Sequence, residues 1–166
     1  MVPCLLEWKG PVYLRINRND LPFVTPENEP YHIGKIWKLR DGADAAIFAS
    51  GVMVSKALEA AETLAREGTS VRVLNVSTIK PLDVEAVITN ANGVRAIVVA
   101  EEASVIGGLG AAVVEALRGV RHVPVEFVGV RDSFGASAEN YEILLRHYGL
   151  TAAAVGEAVK RLLGNA

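Results

Sequence analysis

Residues 45–76 carry the stretch that decides the fold, AAIFASGVMVSKALEAAETLAREGTSVRVLNV. The apolar run from Ala45 to Ala49 has the length of a strand and predicts one that is buried on both faces. The next residues have helical spacing, with one apolar face made of Val54, Ala57, Leu58, Ala61, Leu64 and Ala65. Gly68 is expected to end this helix, and Val71 to Val76 is predicted to be the following strand. A strand, a helix and a strand of these lengths are typical of a crossover between two parallel strands.

The same alternation continues on both sides of this stretch. Lys35 to Leu39 is predicted to be a short edge strand that ends in an Asp41-Gly42 turn. The later predicted elements are a helix after the N-cap Asp83, strand Arg95–Ala100, helix Ala111–Leu117, strand Val123–Val128, and helices that begin near Ser137 and Thr151. We therefore predict a doubly wound α/β fold. It has a mostly parallel five-stranded sheet with one antiparallel edge strand, and helices on both faces.

The composition restricts the class of protein. The chain has 166 residues, of which 51% are hydrophobic and 22% charged, and this is too apolar for a disordered protein. No apolar run approaches the roughly 18 residues of a membrane span, and a proline and charges come too early for a secretory signal. A net charge of −2 argues against nucleic-acid binding, and the single cysteine, Cys4, allows no intrachain disulfide. We expect a cytoplasmic protein with no nucleic-acid or membrane partner.

The abundance of small apolar residues predicts either a densely packed interior or a surface that a partner covers. Residues 1–34, called the arm below, differ from the rest. The arm holds five of the seven prolines, a predicted strand from Val12 to Ile16, and a turn-rich stretch after it. A lone strand with a long tail cannot form a core. The arm is therefore expected to belong to something larger or to lie on another surface.

Two adjacent carboxylates, Glu101 and Glu102, follow the strand that is predicted to end at Ala100. They lie at the edge of the sheet where open α/β folds bind ligands. Burial could raise the pKa of one carboxyl and make it a general base. Successive residues of a strand point in opposite directions, however, and this suits a paired acid and base poorly. We favour a structural or interface role over catalysis.

The glycine-rich loop Gly107-Gly108-Leu109-Gly110 precedes a predicted helix, where free N–H groups and the helix dipole favour an anion. As a dinucleotide fingerprint the loop is incomplete, because Val113 occupies the last glycine position. A nucleotide site is the minor alternative. The main prediction is that Gly107, Gly108 and Gly110 allow close backbone packing.

The remaining candidates predict little chemistry. The three histidines lack metal-ligand spacing: His32, His122 and His147. No serine lies in a nucleophile elbow, and Cys4 has no activating pattern around it. Arg15 and Arg18 leave the end of the first predicted strand. Arg18 is either a bidentate ligand for a phosphate or carboxylate or a solvated surface arginine. From the residues alone, we predict no catalytic, cofactor-binding or metal site on this chain.

Four stretches of the chain carry a resemblance to a known family: GPVYLRINRNDLP at 10–22, TIKPLD at 78–83, EEASVIGGLGAAV at 101–113 and YGLTAAAV at 148–155. Together they resemble the C-terminal region of the transketolase family. The first is similar to the end of the family's pyrimidine-binding domain, the second and third resemble its third, C-terminal domain, and the fourth matches the terminal helix. The resemblance covers almost the whole chain in the right order. Deoxyxylulose-phosphate synthases and 2-oxoacid dehydrogenase β subunits share this architecture and stay open as alternatives.

The resemblance implies a thiamine-diphosphate and Mg2+ enzyme that moves a two-carbon ketol unit between sugar phosphates, as in the pentose phosphate pathway. The family's G-D-G…N motif and its activating glutamate are not found in this chain, so no cofactor is expected on it alone. Arg18 matches the arginine that contacts the substrate phosphate, whereas Ala103 stands where the family usually has histidine. The implied division is a remnant of the pyrimidine-binding domain over 1–34 and the C-terminal domain over 35–166.

Three hypotheses follow for the function. The first is the C-terminal part of a transketolase, whether a truncated product, a fragment or one piece of a split enzyme. It would act as a scaffold and dimer interface and be inactive alone. Its partners would be a second copy and possibly a separate chain with the other two domains. The second is an independent interaction or regulatory module. The third is a nucleotide-binding domain.

Overall fold

The computed structural model describes residues 1–17, 19–26 and 29–164. Its strands are β1 (Ile36–Arg40), β2 (Ala45–Ala49), β3 (Val71–Val76), β4 (Ala96–Ser104) and β5 (Val125–Val130). Its helices are α1 (Val2–Glu7), α2 (Met53–Arg66), α3 (Val84–Ala91), α4 (Leu109–Leu117), α5 (Tyr141–His147) and α6 (Ala152–Gly164).

The five strands form one sheet in the order β1-β3-β2-β4-β5. β1 pairs antiparallel with β3, and the other three pairs are parallel. β2 occupies the centre because all five of its residues are apolar and buried, so the strand needs cover on both faces. The predicted fold class, with one antiparallel edge strand in an otherwise parallel sheet, is confirmed.

Helices cover both faces of the sheet. Alternate residues of the central strands divide into two apolar clusters. One cluster packs Ile47 and its neighbours against α2, α5 and α6, and the other packs Phe48 and its neighbours against α3 and α4. These layers leave the ends of the strands as the places where polar side chains gather.

Two predicted helix signals appear as expected. Gly68 follows α2 with a φ of +85°, a left-handed conformation that glycine adopts without strain. Asp83 caps α3, since its Oδ1 accepts a hydrogen bond of 3.0 Å from the N–H of Ala86.

The strand predicted over Val12–Ile16 is wrong, because the described residues 11–17 are irregular. A strand needs a partner for its backbone groups, and none of the five strands pairs with this segment. Its side chains are largely in solvent, with Tyr13 89% and Ile16 79% exposed. The short helix α1, with Pro3 in its first turn, was not predicted and buries no residue.

Several boundaries also differ from the prediction, and three of these differences have a local cause. β4 runs four residues beyond Ala100, because β5 continues to pair with it as far as Ser104. β5 begins at Val125, after Pro124, which has no N–H to donate to a ladder. α5 begins at Tyr141 because the side chain of Asn140 accepts a hydrogen bond from Ile143 N and so caps the helix there. None of the helices in the described ranges is long and apolar enough to cross a membrane.

Candidate functional site

The carboxyl ends of β2 and β4 lie side by side at the centre of the sheet, where the strand order reverses. The N–H of Ser50 donates to Ala100 O over 3.1 Å and ties the two strand ends together. Beyond this point β4 is irregular, since Ala100 pairs with Val128 but Ser104 pairs with Val130. β4 therefore carries two more residues than β5 between these pairs, and this bulge sends neighbouring carboxylates to different surroundings.

Glu101 turns inward and is 2% exposed. Its carboxylate accepts hydrogen bonds from the N–H groups of Leu109, at 2.7 Å, and Gly110, at 2.9 Å. These are the first residues of α4, so a side chain of the same chain occupies the positive end of the helix dipole. The two N–H groups that a bound phosphate would use are already engaged, which argues against the nucleotide hypothesis.

The glycines of the loop make this arrangement possible. A Cβ on Gly108 would overlap the Glu101 carboxylate, and a Cβ on Gly110 would lie 2.9 Å from the ring of Phe127. Gly107 has a φ of +74°, which favours glycine. Gly108 and Gly110 thus allow close packing around Glu101, and Gly107 shapes the turn that leads into α4.

Glu102 points the other way, toward the arm. Arg15 Nη1 donates to the backbone oxygen of Glu102 over 2.6 Å, and Arg15 Nη2 lies 3.6 Å from its carboxylate. Tyr141, the first residue of α5, stands beside the same carboxylate. Burial, followed by the hydrogen bond and the charge of Glu102, raises the pKa of Tyr141 to about 12, so its hydroxyl is protonated at neutral pH.

Asn17 completes this contact. Its Nδ2 donates to the Tyr141 hydroxyl over 2.9 Å, and its Oδ1 accepts hydrogen bonds from both nitrogens of Asn19, each at 2.8 Å. Arg18, the predicted phosphate ligand, lies outside the described residues. The structure thus separates the two predicted glutamates, with Glu101 in the loop packing and Glu102 at the arm.

Asn17 and Tyr141 were not predicted to be site residues. A signal for Tyr141 was the capping residue before it, which fixes where α5 starts. Asn17 offered only its proximity to Arg18 in the chain.

Tyr31, near the end of the arm, makes a second set of contacts, one with the loop that follows β3 and one within the arm. Tyr31 shares a hydrogen bond of 2.8 Å between its hydroxyl and Thr78 Oγ1, and its backbone oxygen accepts from Cys4 Sγ over 3.0 Å. An open groove of about 230 Å³ lies here, lined by α1 and residues 31–33. Within the described ranges, no three His, Cys, Asp or Glu side chains come close enough to hold a metal ion. His147 lies in the last turn of α5, far in the chain from His32 and His122.

Comparison with known proteins gives consistent results. The family model described as transketolase, C-terminal domain, matches residues 34–155. A 6-deoxy-6-sulfo-D-fructose transketolase subunit of Clostridium sp. strain MSTE9 is 47% identical over 150 residues, which are 90% of this chain and 46% of that protein. A 1-deoxy-D-xylulose-5-phosphate synthase of Heliobacterium modesticaldum is 37% identical over 98% of this chain and 25% of its own length.

A solved structure described as a split gene transketolase, inactive beta4 tetramer, superposes with a TM-score of 0.92 at 43% identity. The match covers 98% of this chain and 53% of that one. The chain therefore spans about half the length of the transketolase subunits that it matches.

Proposed function

The chain belongs to the transketolase family, and from this premise we propose that it is part of the C-terminal chain of a split transketolase. The assembled enzyme would move two-carbon ketol units between sugar phosphates. This chain would supply the scaffold and an interface, with residues 1–34 as the end of the pyrimidine-binding domain and 35–166 as the C-terminal domain. The observation that carries the proposal is the match, over nearly the whole chain, to a split gene transketolase.

The exposed apolar side chains support a role in an assembly. Large apolar side chains that stand in solvent are concentrated in the arm, where Tyr13 is 89%, Phe23 97% and Leu6 84% exposed. Exposed apolar side chains concentrated in one segment favour a surface that meets another protein. The proposed partners are a second copy of this chain, forming a dimer or a larger assembly, and a separate chain with the pyrophosphate-binding domain and the rest of the pyrimidine-binding domain.

The transketolase family generally uses thiamine diphosphate, and the residues present here do not fit a site for it with Mg2+. The part of the chain that the structure describes brings no metal-ligand cluster together, and Glu101 takes the N–H groups at the start of α4. The proposal therefore assigns the cofactor to the other domains of the assembly. Arg18 is proposed as the one residue in this segment that contacts the substrate phosphate, in a cytoplasmic enzyme of sugar-phosphate metabolism.

Co-expression with the candidate N-terminal chain tests the proposal. We expect the two chains to co-purify, and ketol transfer between sugar phosphates to require both chains and thiamine diphosphate. The isolated chain should not bind thiamine diphosphate with Mg2+ in a calorimetric titration. Saturable micromolar binding to the chain alone, or purification of an unrelated partner from native extract, would contradict the proposal; the second result would favour an independent interaction module. Analytical ultracentrifugation of the isolated chain tests the proposed homo-oligomer. The chain should sediment as a dimer or a larger species, and a monomer would contradict the proposal that it assembles with a second copy of itself.

A deoxyxylulose-phosphate synthase is the second candidate, because a synthase relative aligns with 98% of this chain. The two reactions differ in their donor. A synthase would consume pyruvate and release CO2, whereas a transketolase would convert a ketose phosphate without any gas release. Supplying the assembled enzyme with each donor and measuring CO2 separates them. The third architecture, a 2-oxoacid dehydrogenase β subunit, would also release CO2 from a 2-oxoacid but would form no sugar phosphate, so identifying the product separates it from the synthase.

A further inference from the structure

The arm is attached to the sheet domain on both sides of position 18. On the N-terminal side, Arg15 and Asn17 make polar contacts with Glu102 and Tyr141. On the C-terminal side, Leu21 and Val24 pack against the apolar cluster that lies under α2, α5 and α6. Asn17 and Leu21, which flank positions 18–20, are therefore both in contact with the domain.

The polar contacts are the specific part of this attachment. Around them, residues 12–16 have largely exposed side chains and no strand partner, so apolar packing does not determine where this part of the arm lies. Tyr141 contacts both sides of this attachment, because its hydroxyl oxygen accepts from Asn17 Nδ2 over 2.9 Å and its side chain lies beside the Glu102 carboxylate. Asn17 in turn accepts from the backbone N–H of Asn19, which sets the direction of the chain past this point.

We propose that Glu102 and Tyr141 are positioning residues, which hold Arg15 and Asn17 so that the arm enters the substrate-phosphate region in one orientation. The functional consequence rests on the proposed function, in which Arg18 contacts the phosphate. The C-terminal domain would then influence substrate binding from outside the catalytic centre. Its contribution is a fixed anchor for the arm, with no contact to the cofactor.

The alternative is a set of solvated contacts with no effect on the arm. Arg15 is 56% exposed in its side chain, and exposed ion pairs are individually weak. The two views differ in what happens when both contacts are weakened together. The test therefore uses the double substitution Glu102→Gln and Tyr141→Phe, which removes the carboxylate and the hydroxyl and keeps the size of both side chains. The hydrogen bond from Arg15 to the backbone oxygen of Glu102 is left in place.

Limited trypsin digestion of the isolated chain measures the anchor directly. Cleavage between Arg15 and Ile16 requires the Arg15 side chain to leave Glu102 and enter the protease, so its rate follows the population of the released arm. We expect the double variant to be cut there roughly fivefold to tenfold faster, where tenfold corresponds to about 1.4 kcal/mol. Cleavage after Lys9, which lies before the anchor, is an internal reference and should not change.

Matched controls lie in α5 and at its C-cap. Glu142 follows Tyr141 in the chain, and Glu142→Gln removes a carboxylate that pairs with Lys56. Tyr148→Phe removes a hydroxyl that donates to Phe134 O. Both substitutions leave the arm contacts intact, and both variants should be cut after Arg15 at the wild-type rate. An unchanged rate in the double variant, or an equal increase in the controls, would overturn the proposal.

The assembled enzyme gives a second readout. The double variant should raise KM for the phosphorylated acceptor about fivefold and change kcat less than twofold, with no effect on an unphosphorylated acceptor. Faster digestion with an unchanged KM would refute the link to phosphate binding. If the wild-type assembly transfers no ketol group, the proposed function fails, and the digestion rates still decide whether Glu102 and Tyr141 hold the arm.

Discussion

Replacing Glu101 with alanine tests whether this carboxylate is a structural element. The side chain is 2% exposed and accepts the N–H groups of Leu109 and Gly110. Removing it leaves two buried donors without partners, each costing about 1–3 kcal/mol, and removes an anion from a helix N-terminus, worth about 0.3–1 kcal/mol. We expect the free energy of unfolding to fall by roughly 3–5 kcal/mol, a large part of the ~5–15 kcal/mol of a typical domain.

Urea denaturation followed by circular dichroism measures this change, at one fixed protein concentration because assembly adds to stability. The melting temperature should fall by roughly 6–20 °C, given about 2–4 °C per kcal/mol for a chain of this size. Glu101→Gln should cost less, about 1–3 kcal/mol, because the carboxamide oxygen still accepts from one of the two donors.

The control is Glu115→Ala on the same helix, whose side chain is 73% exposed and pairs with the exposed Arg118. Its effect should stay within about 0.5 kcal/mol. The reasoning is refuted if Glu101→Ala unfolds within 1 kcal/mol of the wild type, a threshold of about the size of one ordinary hydrogen bond. A stable Glu101→Ala variant that abolished ketol transfer in the assembled enzyme would favour the catalytic role instead.

Other substitutions test the remaining parts of the structure. Gly108→Ala should destabilise by about 1–3 kcal/mol because its Cβ would overlap the Glu101 carboxylate, whereas Gly119→Ala, with open space around it, should be near neutral in the same urea assay. Asp83→Ala removes the cap of α3 and should cost about 1 kcal/mol, measured by thermal denaturation. Hydrogen bonds from Ser70 N and then Arg95 hold the pKa of Asp44 below its usual 3.8. The stability that Asp44 contributes is therefore fully present above pH 3.8 and is lost as the pH falls through the lower pKa of the folded state. In Asp44→Asn the melting temperature should accordingly depend less on pH at acid pH than in the wild type. An unchanged pH dependence in that variant would contradict the assignment.

The central part of the fold is predictable because local pattern and tertiary environment agree there. The apolar run at Ala45–Ala49 is buried on both faces in the structure, as its composition requires. Helix ends were predictable where a side chain or a glycine acts on its own neighbours, as at Asp83 and Gly68. The sequence pattern gave a wrong prediction where a segment has no neighbouring strand to pair with. Val12–Ile16 has the composition of a strand, but a strand forms only beside another one.

The polar region at the ends of β2 and β4 was predictable only in part. The alternation of a strand indicated that Glu101 and Glu102 diverge, and the structure places them in different surroundings. The bulge in β4 that delivers Glu101 to α4 has no local sequence signal beyond the glycines. The link from Arg15 to Glu102 spans 87 residues of chain, and no short-range pattern reports a contact of that separation.

The sequence by itself determined the fold class, the family resemblance and the absence of the family's cofactor motifs, because these depend on periodicity and on residues that are near one another in the chain. Only the tertiary structure decided which N–H groups Glu101 satisfies and where the arm is held. Those contacts join segments that meet only after the sheet has formed, and the close approach of α4 to β4 and β5 depends on backbone positions that Gly108 and Gly110 permit but do not specify.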